Sequence, residues 1–515
     1  MCCLAGSAIV GYFCAVALRQ HRGSRWTRMT ANGSEYDEQT RFGKGKTMCY
    51  TLILTAIMSV MGQTQSVNSE MHVAEGRQLT FSERNHELDN NDNFSSDDRY
   101  LCYDTRETFG PGIDHGTTIE VLDLATGKEI VIYEPDAVLM GETPAPGVGA
   151  VSFNPAAPEV AFIHGPPVSE VAERGAYGKP NRNGARVILG GDVVEGKDRL
   201  RMLRNGAYSF SWIDKRDIAT DRDTLPGAHR GGTHRHEYSR NGKRIGFTYD
   251  DFLLTEYDRT VGYMEAHPAA PAPASHYFAV LVPVVPRGTS RPGEIERAYG
   301  DSWVDAAGTM RAFIGVVRQN DGETYQESLF VADIPSDVDI TTADSGNAKR
   351  FPTPPAGIRI RRLTHHWAGG IVRGSPDGTR IAYYGKDADG ITQIFIIAAS
   401  GSDKSDEPAE RPMQATFLPE GAESGLRWHP AGGHLLCVSD GGLVLTCIET
   451  GEHFGRSRFI TPHGDGGERY APVISNDGKL VAYNLATPTF NKEGARVYNY
   501  DGGDFSQIFV VNLEL

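Results

Sequence analysis

One turn-and-strand motif recurs along the chain, and the recurrence constrains the fold more than any other feature. Ser375-Pro376-Asp377-Gly378 stands ahead of an alternating apolar run through Ile381 and Tyr383. Ser239-Arg240-Asn241-Gly242 and Ser475-Asn476-Asp477-Gly478 repeat it closely. Looser copies make seven in all, beginning at residues 95, 154, 239, 305, 375, 429 and 475. Asp, Asn and Gly suit such turns because they tolerate the backbone angles that a reversal needs. Each interval leaves room for four short strands and their loops, which is one blade of a β-propeller. A chain of 515 residues exceeds the usual domain length of roughly 100–200 residues. Closed repeat arrays escape that bound because each unit packs only on its neighbours.

A second signal, ahead of several copies of the turn, marks the outer strand of the preceding blade. Arg362-Leu363-Thr364, Ala415-Thr416-Phe417 and Phe459-Ile460-Thr461 precede later copies of the turn. Gln78-Leu79-Thr80 precedes the first copy, where no earlier blade exists. It is therefore expected to complete the last blade beside Gln507 to Leu513, removing the open edge that an unclosed sheet exposes. The fold expected is all-β: a single seven-bladed β-propeller over residues 77–515, closed by an N-terminal strand.

The formal charge of −15 argues against nucleic acid and anionic membrane surfaces as partners. Two apolar stretches, Leu4 to Leu18 and Cys49 to Met61, are each shorter than the roughly 18–20 residues of a membrane span. Lys44 and Lys46 ahead of the second, and small residues after it, give it the form of a signal peptide starting at Met48. Residues 1–66 are thus expected to be extension and leader, with no stable membrane span in the mature protein and a secreted or periplasmic location. Seven cysteines lack any disulfide or zinc spacing, and Cys102 and Cys437 fall on strands as small buried thiols.

The repeat also acts as a ruler. His86, Arg230 and His366 lie nine residues before a turn, and His164 and Tyr249 lie ten after one, so the five are expected on one face of the ring. His234 and His236 alternate by two and should point the same way on a strand. With His366 they could supply three imidazoles for a divalent metal ion, the one cofactor that these residues suggest. No HExxH, GxSxG or phosphate-loop motif is present.

The repeat resembles the propellers of the TolB type. The segments His86-Glu-Leu-Asp-Asn-Asn-Asp92, Phe162-Ile-His-Gly-Pro166, Arg230-Gly-Gly-Thr-His-Arg-His236 and Phe247-Thr-Tyr-Asp-Asp251 resemble a propeller family that includes the ulvan lyases of polysaccharide lyase family 25. Oligogalacturonate lyase is more distantly similar. The resemblance implies β-elimination on a uronate-containing, ulvan-like glycan, with an anionic polysaccharide or oligosaccharide as partner. It implies Tyr249 as proton shuttle, His164 as base or carboxylate neutraliser and Arg259 as anion clamp. His86 and Arg230 join the substrate-binding set. The insertion Tyr177 to Gly184 lacks the second His that those lyases carry, and Asn181 or Arg182 is the candidate in its place. The alternative is a non-catalytic TolB-like propeller that binds a protein or glycan in the cell envelope.

Overall fold

The computed structural model describes residue 73 and residues 76–106 and 112–515; the expected leader and the start at Met48 lie outside them. Seven antiparallel blades follow one another along the chain. Their innermost strands are Asn85–Glu87, Val148–Phe153, Gly232–Tyr238, Ile295–Trp303, Ala368–Gly374, Ser424–Trp428 and Arg469–Ile474, for blades 1 to 7.

The turn motif explains itself in hydrogen bonds. Ser375 Oγ donates to Asp377 Oδ1 at 2.5 Å and accepts from the Arg380 amide at 2.9 Å. Ser95, Ser239 and Ser475 do the same, at 2.6, 2.8 and 2.7 Å to the turn's Asp or Asn. Gly378 has φ +74°, where a side chain is disfavoured. The Leu-Thr signal has an equally local cause. Thr364, Thr416 and Thr461 each accept, on the side-chain hydroxyl, a backbone N–H of the adjacent strand at 2.8–2.9 Å. This satisfies a buried donor where the blade's outer pairing ends.

Thr80 makes the same bond with the Ile508 amide at 2.9 Å. Arg77 and Gln78 pair antiparallel with Val510 and Phe509, so the N-terminal strand does complete blade 7. Leu101 and Tyr103 of blade 1 then pack with Val473, Ala482 and Ile508 of blade 7 across the seam. Thr80→Val is expected to strand the Ile508 N–H in the interior at a cost of about 1–2 kcal/mol. Urea unfolding measures this, with Thr416→Val inside blade 5 as the matched control; a larger loss at Thr80 marks the seam as the weaker joint.

Two additions break the seven-fold regularity, one of them a short hairpin in blade 7 that pairs Thr489 and Phe490 with Val497 and Arg496. Asp192–Glu195 and Leu200–Leu203, inserted in blade 2, form a hairpin that joins the outer edge of blade 1, with Leu200 and Arg201 parallel to Ile130 and Val131. Neighbouring blades are also tied by indoles: Trp303 Nε1 donates to the Glu237 carbonyl at 2.9 Å, and Trp428 Nε1 to the Arg373 carbonyl at 3.0 Å.

Candidate functional site in the central channel

The innermost strands of blades 2 to 7 share a bulge. Their ladders shift register at Gly149/Ser152, His234/Glu237, Tyr299/Ser302, Gly369/Arg373, Ser424/Arg427 and Tyr470/Val473. Within each bulge one residue has positive φ: Ala150 +53°, Arg235 +56°, Gly300 +65°, Gly370 +71°, Gly425 +70° and Ala471 +48°. An extra residue in the left-handed region interrupts strict alternation and re-aims the side chains around it. Three of the six are not glycine, a conformation that costs on the order of 1–2 kcal/mol and recurs at functional sites.

The bulges of blades 3 to 7 line a channel cavity of about 520 Å³. His234, Arg235 and Glu237 line it from blade 3, Asp89 from blade 1, and Tyr299 and Asp301 from blade 4. Arg373, Arg427 and Tyr470 reach it from blades 5, 6 and 7, and Arg259 from just ahead of the third strand of blade 3.

Most charges here are paired. Arg259 Nη2 lies 2.7 Å from Asp250 Oδ2, and Arg182 Nη2 is 3.7 Å from the same oxygen. Arg235 pairs with Asp89 at 2.7 Å, and Asp89 also holds Arg106 at 2.8 Å. Arg311 bridges Glu237 at 3.0 Å and Asp301 at 2.5 Å.

His234 differs: its imidazole makes no hydrogen bond to any described residue, yet it lines the cavity. Burial, followed by the guanidiniums of Arg182, Arg259 and Arg235, holds it well below the usual histidine range. At neutral pH it is therefore an unprotonated base beside an excess of positive charge. Tyr299 and Tyr470 line the same cavity as phenols. The Tyr470 hydroxyl bonds Glu87 at 3.1 Å, Tyr299 bonds Glu327, and burial first of all keeps both phenols above their usual range.

The residues expected on the active face go elsewhere. His164 is buried: its Nδ1 donates to the Gly165 carbonyl at 2.6 Å, which leaves Nε2 to accept from the Tyr133 hydroxyl at 2.8 Å. Packed edge-on against Trp212, it is pushed by burial down to about 4. Tyr249 is fully buried and donates at 2.8 Å to Asp251, which also anchors the fully buried Arg230 at 2.5 Å. His86 is enclosed beside Ser82 Oγ at 3.0 Å. Asn181 donates at 2.7–3.1 Å to three carbonyls of its own loop. Of the expected catalytic three, Arg259 alone lines the channel; His164 and Tyr249 are held inside their blades.

The three imidazoles do not gather either. The bulge at Arg235 breaks the alternation, so His234 meets the channel while His236 turns inward. There His236 Nε2 bonds Thr233 Oγ1 at 3.0 Å and packs against Gly184 of blade 2. His366 is engaged by Asp403 at 3.2 Å and Tyr383 at 3.1 Å. Among the described residues no cluster of three His, Cys, Asp or Glu is placed to hold a metal ion, so the residues do not fit one.

The channel arginines Arg235, Arg373 and Arg427, and Asp214 behind them, did not emerge from the sequence. Their signal was nevertheless present: Arg373 and Arg427 stand two residues ahead of their turns, at the bulge position.

Comparison with known proteins places the chain. Residues 147–270 match the family model described as "Protein of unknown function (DUF3748)". Among solved structures, oligogalacturonate lyase from Vibrio parahaemolyticus aligns with 87% of this chain and 96% of its own, at 10% identity and a TM-score of 0.48. TolB from Acinetobacter baumannii aligns with 81% and 83%, at 11% identity and a TM-score of 0.34. The "Uncharacterized protein YidR" of Escherichia coli (strain K12) is 31% identical over 438 residues, spanning 79% of this chain and 94% of YidR. The chain belongs to the family of Escherichia coli YidR.

Proposed function

We propose that the protein is an exported lyase that cleaves a uronate-containing glycan by β-elimination in its central channel. One observation carries the reading: His234 lines the cavity, its imidazole makes no hydrogen bond to any described residue, and burial with the guanidiniums of Arg182, Arg259 and Arg235 holds it well below the usual histidine range. In a uronate the C5 proton becomes acidic only when the adjacent carboxylate is neutralised, which the guanidiniums supply. His234 then takes that proton. The C5–H electron pair becomes the C4–C5 double bond, the C4–O4 bond breaks, and a channel phenol, Tyr299 or Tyr470, protonates the departing oxygen. The base is thus assigned to His234 in place of His164 and Tyr249, and Arg259 keeps its role as anion clamp.

The test is incubation of the full chain with ulvan, polygalacturonate and glucuronan, following the ultraviolet absorbance of the unsaturated product. Rising absorbance is expected with at least one polymer. No signal across the panel sinks the reading. The second reading, a glycan-binding propeller without catalysis, is favoured by the burial of Tyr249 and His164. It would be supported by tight binding without turnover.

A further inference from the structure

Two channel arginines have no acid to hold. Arg373 is buried, donates through Nη1 to the Val372 carbonyl at 3.0 Å, and has a buried Nε without a partner. Arg427 donates to the Leu426 carbonyl at 2.9 Å and the Asn90 carbonyl at 3.3 Å, and its Nε is likewise buried and unsatisfied. No carboxylate among the described residues lies within ion-pair distance of either, whereas Arg106, Arg235, Arg259 and Arg311 all have one.

The two come from the same bulge position in adjacent blades, so their positive charges oppose each other. Burial, and then the charge of Arg373, pull the Arg427 guanidinium down to about 9. Glu237, already paired with Arg311, acts on Arg373 from beyond ion-pair distance, and Asp92 acts on both arginines from beyond it. Burial and then Glu237 push Asp92 up to about 7, so it carries less than a full charge at neutral pH. A buried charge without a partner is costly, and a fold that keeps two side by side holds a place for an anion.

The surroundings indicate its size. Arg373 and Arg427 line both the channel and a second cavity of about 620 Å³ between blades 5 and 6. Gly370, Ile371, Ser424 and Gly425 are shared by both spaces, so the two adjoin at the arginines. A ligand seated there can extend in either direction.

We propose that Arg373 and Arg427 form an oxyanion site that seats a carboxylate or sulfate group of an acidic oligosaccharide running from the channel into the cleft between blades 5 and 6. The saccharide rests on the functional reading above; the anion site itself does not. Fork-shaped guanidinium donors match planar carboxylates and sulfate oxygens through paired N–H groups.

Titration calorimetry on the full chain tests it, with oligogalacturonate, a sulfated oligosaccharide and a neutral oligosaccharide of equal length. An acidic oligomer is expected to bind, more weakly as salt rises, and the neutral one not to bind. The preferred acidic arm separates carboxylate from sulfate. Arg373→Gln and Arg427→Gln should each weaken binding by about 10-fold or more, with the Lys variants intermediate.

Stability supplies the second readout. The ligand-free Gln variants should unfold at the same temperature as wild type or higher, because they remove an uncompensated charge. Unchanged affinity in both Gln variants, loss of stability in both, or absence of binding by both acidic oligomers would overturn the proposed site. Normal binding without cleavage would overturn only the lyase reading. Cleavage with arginine variants that bind like wild type would overturn only the arginine site.

Discussion

Replacing His234 with glutamine is expected to lower the rate of uronate-chain cleavage by roughly 10²–10⁴-fold, the usual contribution of a positioned general base. Glutamine keeps the polar volume but cannot accept the C5 proton. The variant should fold normally, since the imidazole bonds no described residue and only lines the cavity. Initial rates from product absorbance, with KM measured alongside, check this. A fall in kcat with KM held is the expected pattern, and a wild-type rate in the variant would remove His234 from the mechanism. The pH profile adds a sharper test. Burial and the neighbouring arginines keep the imidazole well below its ordinary value, so the acid limb of kcat should lie well below the normal histidine range. Arg259→Gln removes one of those charges. Its residual activity should show that limb moved to higher pH, because fewer positive neighbours make the imidazolium easier to form.

Asp214→Asn is expected to destabilise the fold by about 3 kcal/mol, as breaking a buried charged network does. Asp214 is buried, and Oδ2 accepts from Thr233 Oγ1 at 2.6 Å and from the Gly184 amide at 3.0 Å. Oδ1 accepts from Asn183 Nδ2 at 2.7 Å and lies 3.3 Å from His229 Nε2. The carboxylate thereby ties blade 2 to blade 3. It grips Asn183 next to Arg182 and Thr233 next to His234, so the variant should loosen both channel residues as well. Burial alone would raise this carboxyl, but His229 foremost, with His236 and Thr233, brings it down to about 2.

A depressed carboxyl stabilises the fold above its unfolded pKa, near 3.8, and that contribution is lost as pH falls through about 2. A shift of this size corresponds to about 2 kcal/mol. Wild type should therefore lose stability steeply between those two values, and the variant should lack that part of the acid dependence. Chemical denaturation at stepped pH measures both. Equal acid slopes would show that Asp214 is not held ionised by the network.

The sequence by itself determined the ring. Its signals are local: a Ser hydroxyl binding the Asp or Asn two residues on, a glycine at positive φ, and a Thr hydroxyl closing an outer strand. Each bond lies within a few residues of its motif or within one blade, so reading the motif is reading the structure. The overlap of ends at Gln78 to Thr80 was legible for the same reason, because that segment carries the outer-strand signal without an earlier blade to use it.

The site was less legible. The ruler of nine before and ten after the turn does find strand ends, but His86, His164, Arg230 and Tyr249 are all buried there. His164 is met by Tyr133 of blade 1, 31 residues away, and Asp251, which holds Tyr249 two residues before it, also reaches Arg230, 21 residues before it. Whether a polar side chain opens on a cavity or is satisfied inside a blade depends on those distant partners, which spacing does not encode.

The bulge is the second reason. A single residue at positive φ, Arg235, sends His234 into the channel and His236 into the wall. Strict alternation would have kept them together. Tertiary structure alone decided which charges are paired and which are left over. Asp89, Asp250, Glu237 and Asp301 are spent on Arg235, Arg259 and Arg311, and the packing of blade 6 on blade 5 brings Arg373 and Arg427 to one cavity with no carboxylate of the described residues within ion-pair distance. Local hydrogen bonds made the propeller readable; the balance of charge in its channel exists only once all seven blades meet.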